Sequence, residues 1–155
     1  MRLDGADGRA LELVVVGYQF PSSNARSGGY DFDANWLVVD CQATDGTRTW
    51  RFHSPCLMTT EARELAAWLD GVAAGRSDLD PTNFTEPVLE FRYVASPPER
   101  PVVRVVFRLE ARPPWAAEVS NDDWDGIWLE FEMSREALAT AATDLRDELK
   151  RYPER

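Results

Sequence analysis

Residues 102–110 alternate: Val103, Val105, Phe107 and Leu109 fall on one phase, and Arg104, Arg108 and Glu110 on the other. A two-residue period belongs to a β-strand with one buried and one wet face, and it cannot be satisfied by a helix. The same period recurs five more times. Leu11, Leu13 and Val15 flank Glu12 in residues 11–18, and residues 35–41 follow as a second strand. Trp50 and Phe52 share a face in residues 47–53. Leu89, Phe91 and Tyr93 oppose Glu90 and Arg92 in residues 87–94. Ile127, Leu129, Phe131 and Met133 oppose Glu130 and Glu132 in residues 127–133. The sequence Thr44-Asp45-Gly46-Thr47 between two such runs predicts a hairpin, because Asp-Gly suits the positive φ of a tight turn.

Two segments carry the helical period instead. Ala62, Leu65, Trp68, Leu69 and Val72 form a stripe at steps of three and four. Thr59 or Thr60 is the expected cap, Glu61 complements the helix dipole, and Asp70-Gly71 and Gly75 mark the end. Ser134 caps a second helix with the stripe Leu138, Ala142, Leu145 and Leu149. The order is therefore β-β-β-α-β-β-β-α. It predicts one α+β domain over residues 1–155, a mostly antiparallel sheet of about six strands with two amphipathic helices on one face and the other face open.

Composition narrows the function. The 155 residues carry 17 basic and 27 acidic side chains, a formal charge of −10. Nucleic acid and anionic membranes are bound by neutralising phosphates with Lys and Arg, so neither is expected as a partner. A basic protein is. One histidine, His53, leaves no Cys/His zinc cluster, and no cofactor motif is present. Cys41 and Cys56 read as buried thiols. Asp4, Asp7 and Glu12 argue against a signal peptide, and the apolar run at residues 13–16 is far below a membrane span, so a cytoplasmic, soluble protein is expected.

Four constellations could carry chemistry. Asn121, Asp123, Asp125, Gly126 and Glu132 match the spacing of a calcium-binding loop, although a strand follows where a helix should. An acidic turn or partner-binding loop is the other reading of the same residues. Asp31 and Asp33 form a carboxylate pair of the kind used in acid–base catalysis, or simply a solvated acidic surface. His53, Ser54 and Cys56 are adjacent, but a nucleophile needs a base held in space, which adjacency does not supply. Of the six tryptophans, Trp50 and Trp68 sit on core phases. Trp36, Trp115, Trp124 and Trp128 are candidates for an interface, for a carbohydrate-binding face, or for a second small cluster roofed by the loops. The surface expected to bind a partner is Asp31, Asp33, Trp36, Asp122, Asp123, Trp124 and Asp125.

Several segments occur in a telling order. Gly17-Tyr18-Gln19-Phe20-Pro21 precedes Tyr30-Asp31-Phe32-Asp33-Ala34-Asn35-Trp36-Leu37, and Pro55-Cys56-Leu57-Met58-Thr59-Thr60-Glu61 leads to Trp68-Leu69. Phe84-Thr85-Glu86-Pro87-Val88-Leu89-Glu90-Phe91 and Pro114-Trp115 follow. Over residues 17–133 this resembles the WapI-type immunity proteins of bacteria. The resemblance implies a cytoplasmic antitoxin that binds the toxic C-terminal domain of a polymorphic toxin, with no catalytic site and no cofactor. A strongly acidic chain fits a basic target such as a nuclease, which it would approach under electrostatic steering.

Overall fold

The computed structural model describes residues 1–21, 31–94, 97, 99–118, 120, 122 and 124–155. Among them are seven strands and two α-helices: β1 (Arg2–Asp4), β2 (Arg9–Tyr18), β3 (Trp36–Asp45), β4 (Thr49–Met58), α1 (Thr59–Ala73), β5 (Leu89–Val94), β6 (Val102–Phe107), β7 (Ile127–Glu132) and α2 (Arg135–Leu149). The class is α+β and, among the described residues, every strand pairing is antiparallel, as the short connections lead one to expect. The expected single sheet is instead two, one of four strands in the order β1-β2-β3-β4 and one of three in the order β5-β6-β7. Alternation tells which side chains share a face and is silent on which strands share a ladder.

β1 is the added strand. Its three residues hold one buried side chain, Leu3, opposite Leu11, too few for a period to show. It covers only the start of β2's edge. Further along, the Val15 N–H donates to Glu148 Oε1 at 3.1 Å and the Val15 carbonyl accepts from the Tyr152 hydroxyl at 3.1 Å. The end of α2 and the residues after it thus satisfy an edge that no strand covers.

The inward phases of both sheets share one core with the helices: Leu13, Val39, Cys41 and Phe52 from the first sheet, Phe91, Val105 and Phe131 from the second, Leu65 from α1 and Leu145 from α2. β6 stops at Phe107, short of the expected Glu110. Leu109 takes a left-handed φ of 50° and starts a 3-10 turn over Leu109–Ala111. Arg112, extended as a residue before proline must be, leads into Pro113-Pro114. The Asp-Gly hairpin forms as expected, with Gly46 at φ 97°. Burial opposes ionisation of Asp45, but the backbone N–H groups of Arg48 and Thr47 and both side chains outweigh it and hold the carboxyl at about 2.

Helix α2 has the expected cap, Ser134 Oγ accepting from Ala137 N at 3.1 Å. Helix α1 does not. Its N-cap is Met58, and the Thr59 hydroxyl is turned to Asn35 instead. The buried Glu61 carboxylate does the capping: it accepts from Met58 N at 2.9 Å and from Thr85 N at 2.6 Å. It therefore fastens both the helix start and the following loop. Among the described residues, no helix is long and apolar enough to cross a membrane.

Two predictions follow from this core. Glu61→Ala removes the acceptor of the buried Met58 N–H and of the half-buried Thr85 N–H and should cost about 3 kcal/mol, read as a lowered urea midpoint with an unchanged slope. Cys41 and Cys56 are free and buried, and burial raises both thiols, Cys56 to about 12. The unfolded thiol ionises near about 8.5, so above that pH the native state binds more protons than the unfolded one and stability falls as pH rises. The loss in urea midpoint between neutral and alkaline pH should be smaller in a Cys41→Ala, Cys56→Ala variant, and a thiol reagent should label neither cysteine until the chain unfolds.

Candidate partner-binding surface

The residues before β3 form a short 3-10 turn over Asp33–Asn35. Asp31 Oδ1 accepts from Ala34 N at 3.3 Å and so begins the turn, as an Asp before a helical turn does. Asp31 is half-buried, whereas Phe32 and Asp33 are exposed. Asn35 points the other way and is completely buried. Trp36 then opens β3 half-buried, on the outward phase that it shares with Val38 and Asp40.

Two bulges shape the sheet at this end. Val15 faces Val39 but Gly17 faces Val38, so Val16 is an extra residue in β2 and stands exposed beside Val38. Leu37 faces Leu57 but Val39 faces Ser54, so β4 also holds one residue too many, at Pro55 and Cys56. Proline has no N–H for the ladder, which accounts for a bulge at Pro55. Together Trp36, Val38, Val16 and Val14 give the outer face of the first sheet an apolar end, rimmed by Asp31, Asp33 and Asp40. Next to it a shallow depression of about 470 Å³ runs along the same face between Glu12, Val14, Asp40, Gln42, Arg51 and His53.

The second expected block lies elsewhere. Asp122 Oδ1 accepts from Trp124 N at 2.9 Å, and Asp125 Oδ2 accepts the Ser120 hydroxyl at 2.6 Å. Arg112 gathers this loop by donating to the carbonyls of Asp122, Ser120 and Ala116 at 2.8, 2.7 and 3.3 Å. Trp124 stands 62% exposed at its tip. Asn121 and Asp123 lie outside the described residues. The loop follows Trp115, which lies under Arg48 at the hairpin end of β3 and β4, whereas Trp36 is at the opposite end of β3. Ten residues of strand separate those ends, about 30 Å. Asp31, Asp33 and Trp36 are brought together, but Asp122, Trp124 and Asp125 form a second surface. The calcium reading needs Glu132 to turn back toward the loop; Glu132 instead lies on β7, where Arg100 Nη1 bonds it at 3.1 Å. Among the described residues no three metal-binding side chains converge.

The remaining candidates also fall into place. Trp115, open to either an interface or a small cluster on sequence grounds, takes the second role: it packs edge-on against Trp50 with centroids 5.6 Å apart, under the Arg48 guanidinium at 4.2 Å. Trp128 is 57% exposed on the outer face of the second sheet, with Arg104 at 5.5 Å. Trp50 and Trp68 are buried as expected. Strand alternation divides His53 from Ser54: His53 Nδ1 pairs with Asp40 on the outer face, and Ser54 Oγ donates inward to Glu110 at 3.0 Å. Neighbours on a strand point to opposite sides, so they cannot act on one substrate atom.

Asn35 and the two bulges were not legible beforehand. The expected strand stops at residue 53, whereas β4 runs on through Pro55 to Met58, so the bulge falls beyond the part the alternation marks. Nothing local marked Asn35, whose partners are 4, 24 and 120 residues away.

Comparison with curated proteins and with solved structures gave no match. The model of the Immunity protein WapI-like family matches residues 2–153, nearly the whole chain, and the chain belongs to that family.

Proposed function

We propose that this protein binds and neutralises a cognate toxin domain in the cytoplasm, acting by occupation of a surface and not by catalysis. The observation that carries the reading is the apolar end of the first sheet's outer face, Trp36, Val38 and Val16, rimmed by Asp31, Asp33 and Asp40, in a member of an immunity family. An aromatic and aliphatic centre with a charged rim is how protein interfaces divide affinity from steering. The rim is acidic and the whole chain carries −10, so the partner is a basic domain, and a nuclease is the class that combines toxicity with a surface built for polyanions. The loop of Asp122, Trp124 and Asp125, with Asp123 as a further candidate, would add a second, peripheral contact. One contiguous core across both sheets supports treating the chain as a single folding unit.

The test uses the toxin domain encoded beside this chain's own gene. Trp36→Ala should weaken binding by about 2 kcal/mol, about 30-fold, through faster dissociation. Asp31→Asn with Asp33→Asn should instead slow association, with the difference closing as salt is raised past roughly 0.5 M. Absence of any binding, and failure of the wild-type chain to rescue cells expressing that toxin, would sink the reading.

A further inference from the structure

The amide of Asn35 has every hydrogen-bonding position filled. Nδ2 donates to the carbonyls of Asp31 at 2.8 Å and Arg155 at 2.7 Å. Oδ1 accepts from Thr59 Oγ1 at 2.9 Å and from Arg155 N at 3.0 Å. Two donors and two acceptor positions are all that an Asn side chain offers. This buried group joins the 31–36 segment, the start of α1 and the residues after α2.

Those last residues form a strap. Tyr152 bonds Val15, the Tyr18 hydroxyl bonds the Pro153 carbonyl, and Arg63 pairs with Glu154 at 2.8 Å. The Arg155 guanidinium lies 3.6 Å from the centre of the Tyr18 ring and donates to Pro21 O at 3.2 Å. The strap therefore runs along the end of the first sheet, behind the segment that presents Asp31, Asp33 and Trp36.

We infer that Asn35 is a positioning residue for partner binding, locking the 31–36 segment to the strap so that Trp36 and the two carboxylates are held in their binding geometry before a partner arrives. The inference rests on the docking surface proposed above. A single 3-10 turn has little stability of its own. The orientation of this one must come from tertiary bonds, and Asn35 supplies those from inside the turn. Without them the partner has to order the segment itself, and that cost is subtracted from affinity.

Four variants separate positioning from bulk stability. Asn35→Ala removes all four bonds. Asn35→Asp keeps both acceptors but sets a carboxylate against the carbonyls of Asp31 and Arg155. Thr59→Val removes the link to α1 and leaves the tie to the strap. Tyr152→Phe loosens the strap without touching the amide. Each is measured below its own melting temperature, by hydrogen exchange of the free protein and by binding kinetics with the neighbouring-gene toxin domain. Both Asn35 variants should bind about tenfold more weakly or worse, by faster dissociation, with faster exchange at Ala34 and Trp36. Tyr152→Phe should do the same to a smaller degree and keeps the test open if Asn35→Ala does not fold. Thr59→Val should lose stability yet bind within about twofold of wild type.

Wild-type affinity in the Asn35 variants overturns the inference. So does an affinity loss in Thr59→Val that tracks its stability, because a purely structural role would move both together. If the wild-type chain does not bind that domain, the toxin reading fails. The exchange data then decide the lock alone, and unchanged exchange at Ala34 and Trp36 overturns it.

Discussion

Trp50 holds the two sheets to one another. It sits on the inner phase of β4, its ring edge-on to Phe107 at 5.1 Å and to Trp115 at 5.6 Å. Its buried indole N–H donates to the Ala111 carbonyl at 3.0 Å. One side chain of the first sheet thus meets the last residue of β6 and the connection beyond it. The acceptor is available because the chain reverses at Leu109, whose left-handed φ costs roughly 1–2 kcal/mol. Burying an indole removes on the order of 200 Å² from water, roughly 5 kcal/mol, so the packing outweighs the strain. Arg48 closes the arrangement from above Trp115, and the hairpin tip becomes part of the seam between sheets.

What could be read in the chain beforehand follows from the range of the forces involved. Alternation and the helical stripes are local, and they identified six of the strands, both helices and the inward face of each. Ser134 was recognisable as a cap because its acceptor role is settled within three residues. Thr59 looked equally good, but a buried Asn from 24 residues away claims its hydroxyl and Glu61 takes over the cap. Two prolines set Trp115 in a loop, where local pattern cannot tell an interface from a small aromatic cluster; Trp50 and Arg48 cover it. The division into two sheets rests on the same kind of distant fact. Asp31, Asp33 and Trp36 were legible as a group because one short segment carries them. Their separation from Asp122, Trp124 and Asp125 depends on the length and direction of β3, which no local pattern encodes.

Charge is distributed less evenly than composition implies. On the outer face of the second sheet, Arg104 meets Glu130 at 2.9 Å, Arg108 meets Glu90 at 2.9 Å and Arg100 meets Glu132 at 3.1 Å. The first two pairs are half-buried and the third is exposed, and at distances beyond a Debye length of about 8 Å the members of each pair cancel one another's field. Arginines are therefore concentrated where acids already answer them. The uncompensated part of the −10 must reside elsewhere, and a basic partner would not be drawn to the exposed Trp128 by long-range attraction. That distinction separates two tryptophan-bearing faces that look alike in the sequence.

The first sheet's outer end is built where the ladder of backbone hydrogen bonds gives out. β1 is too short to cover β2 beyond Leu13, Val16 and Pro55 interrupt the pairing on both sides of β3, and the 3-10 turn before Trp36 belongs to no ladder. Backbone groups there still need partners, and side chains provide them: Glu148 and Tyr152 from more than 130 residues away at Val15, and Asn35 both within its own turn at Asp31 and across the chain at Arg155. An apolar residue at position 35 could fill the same volume, but it would leave the partners of four hydrogen bonds unsatisfied. It could not set a direction. A hydrogen bond weakens steeply away from its preferred angle, whereas apolar contact is indifferent to rotation. The buried amide therefore contributes orientation as well as energy, and orientation is what a surface made of one turn, two bulges and a strand end would otherwise lack.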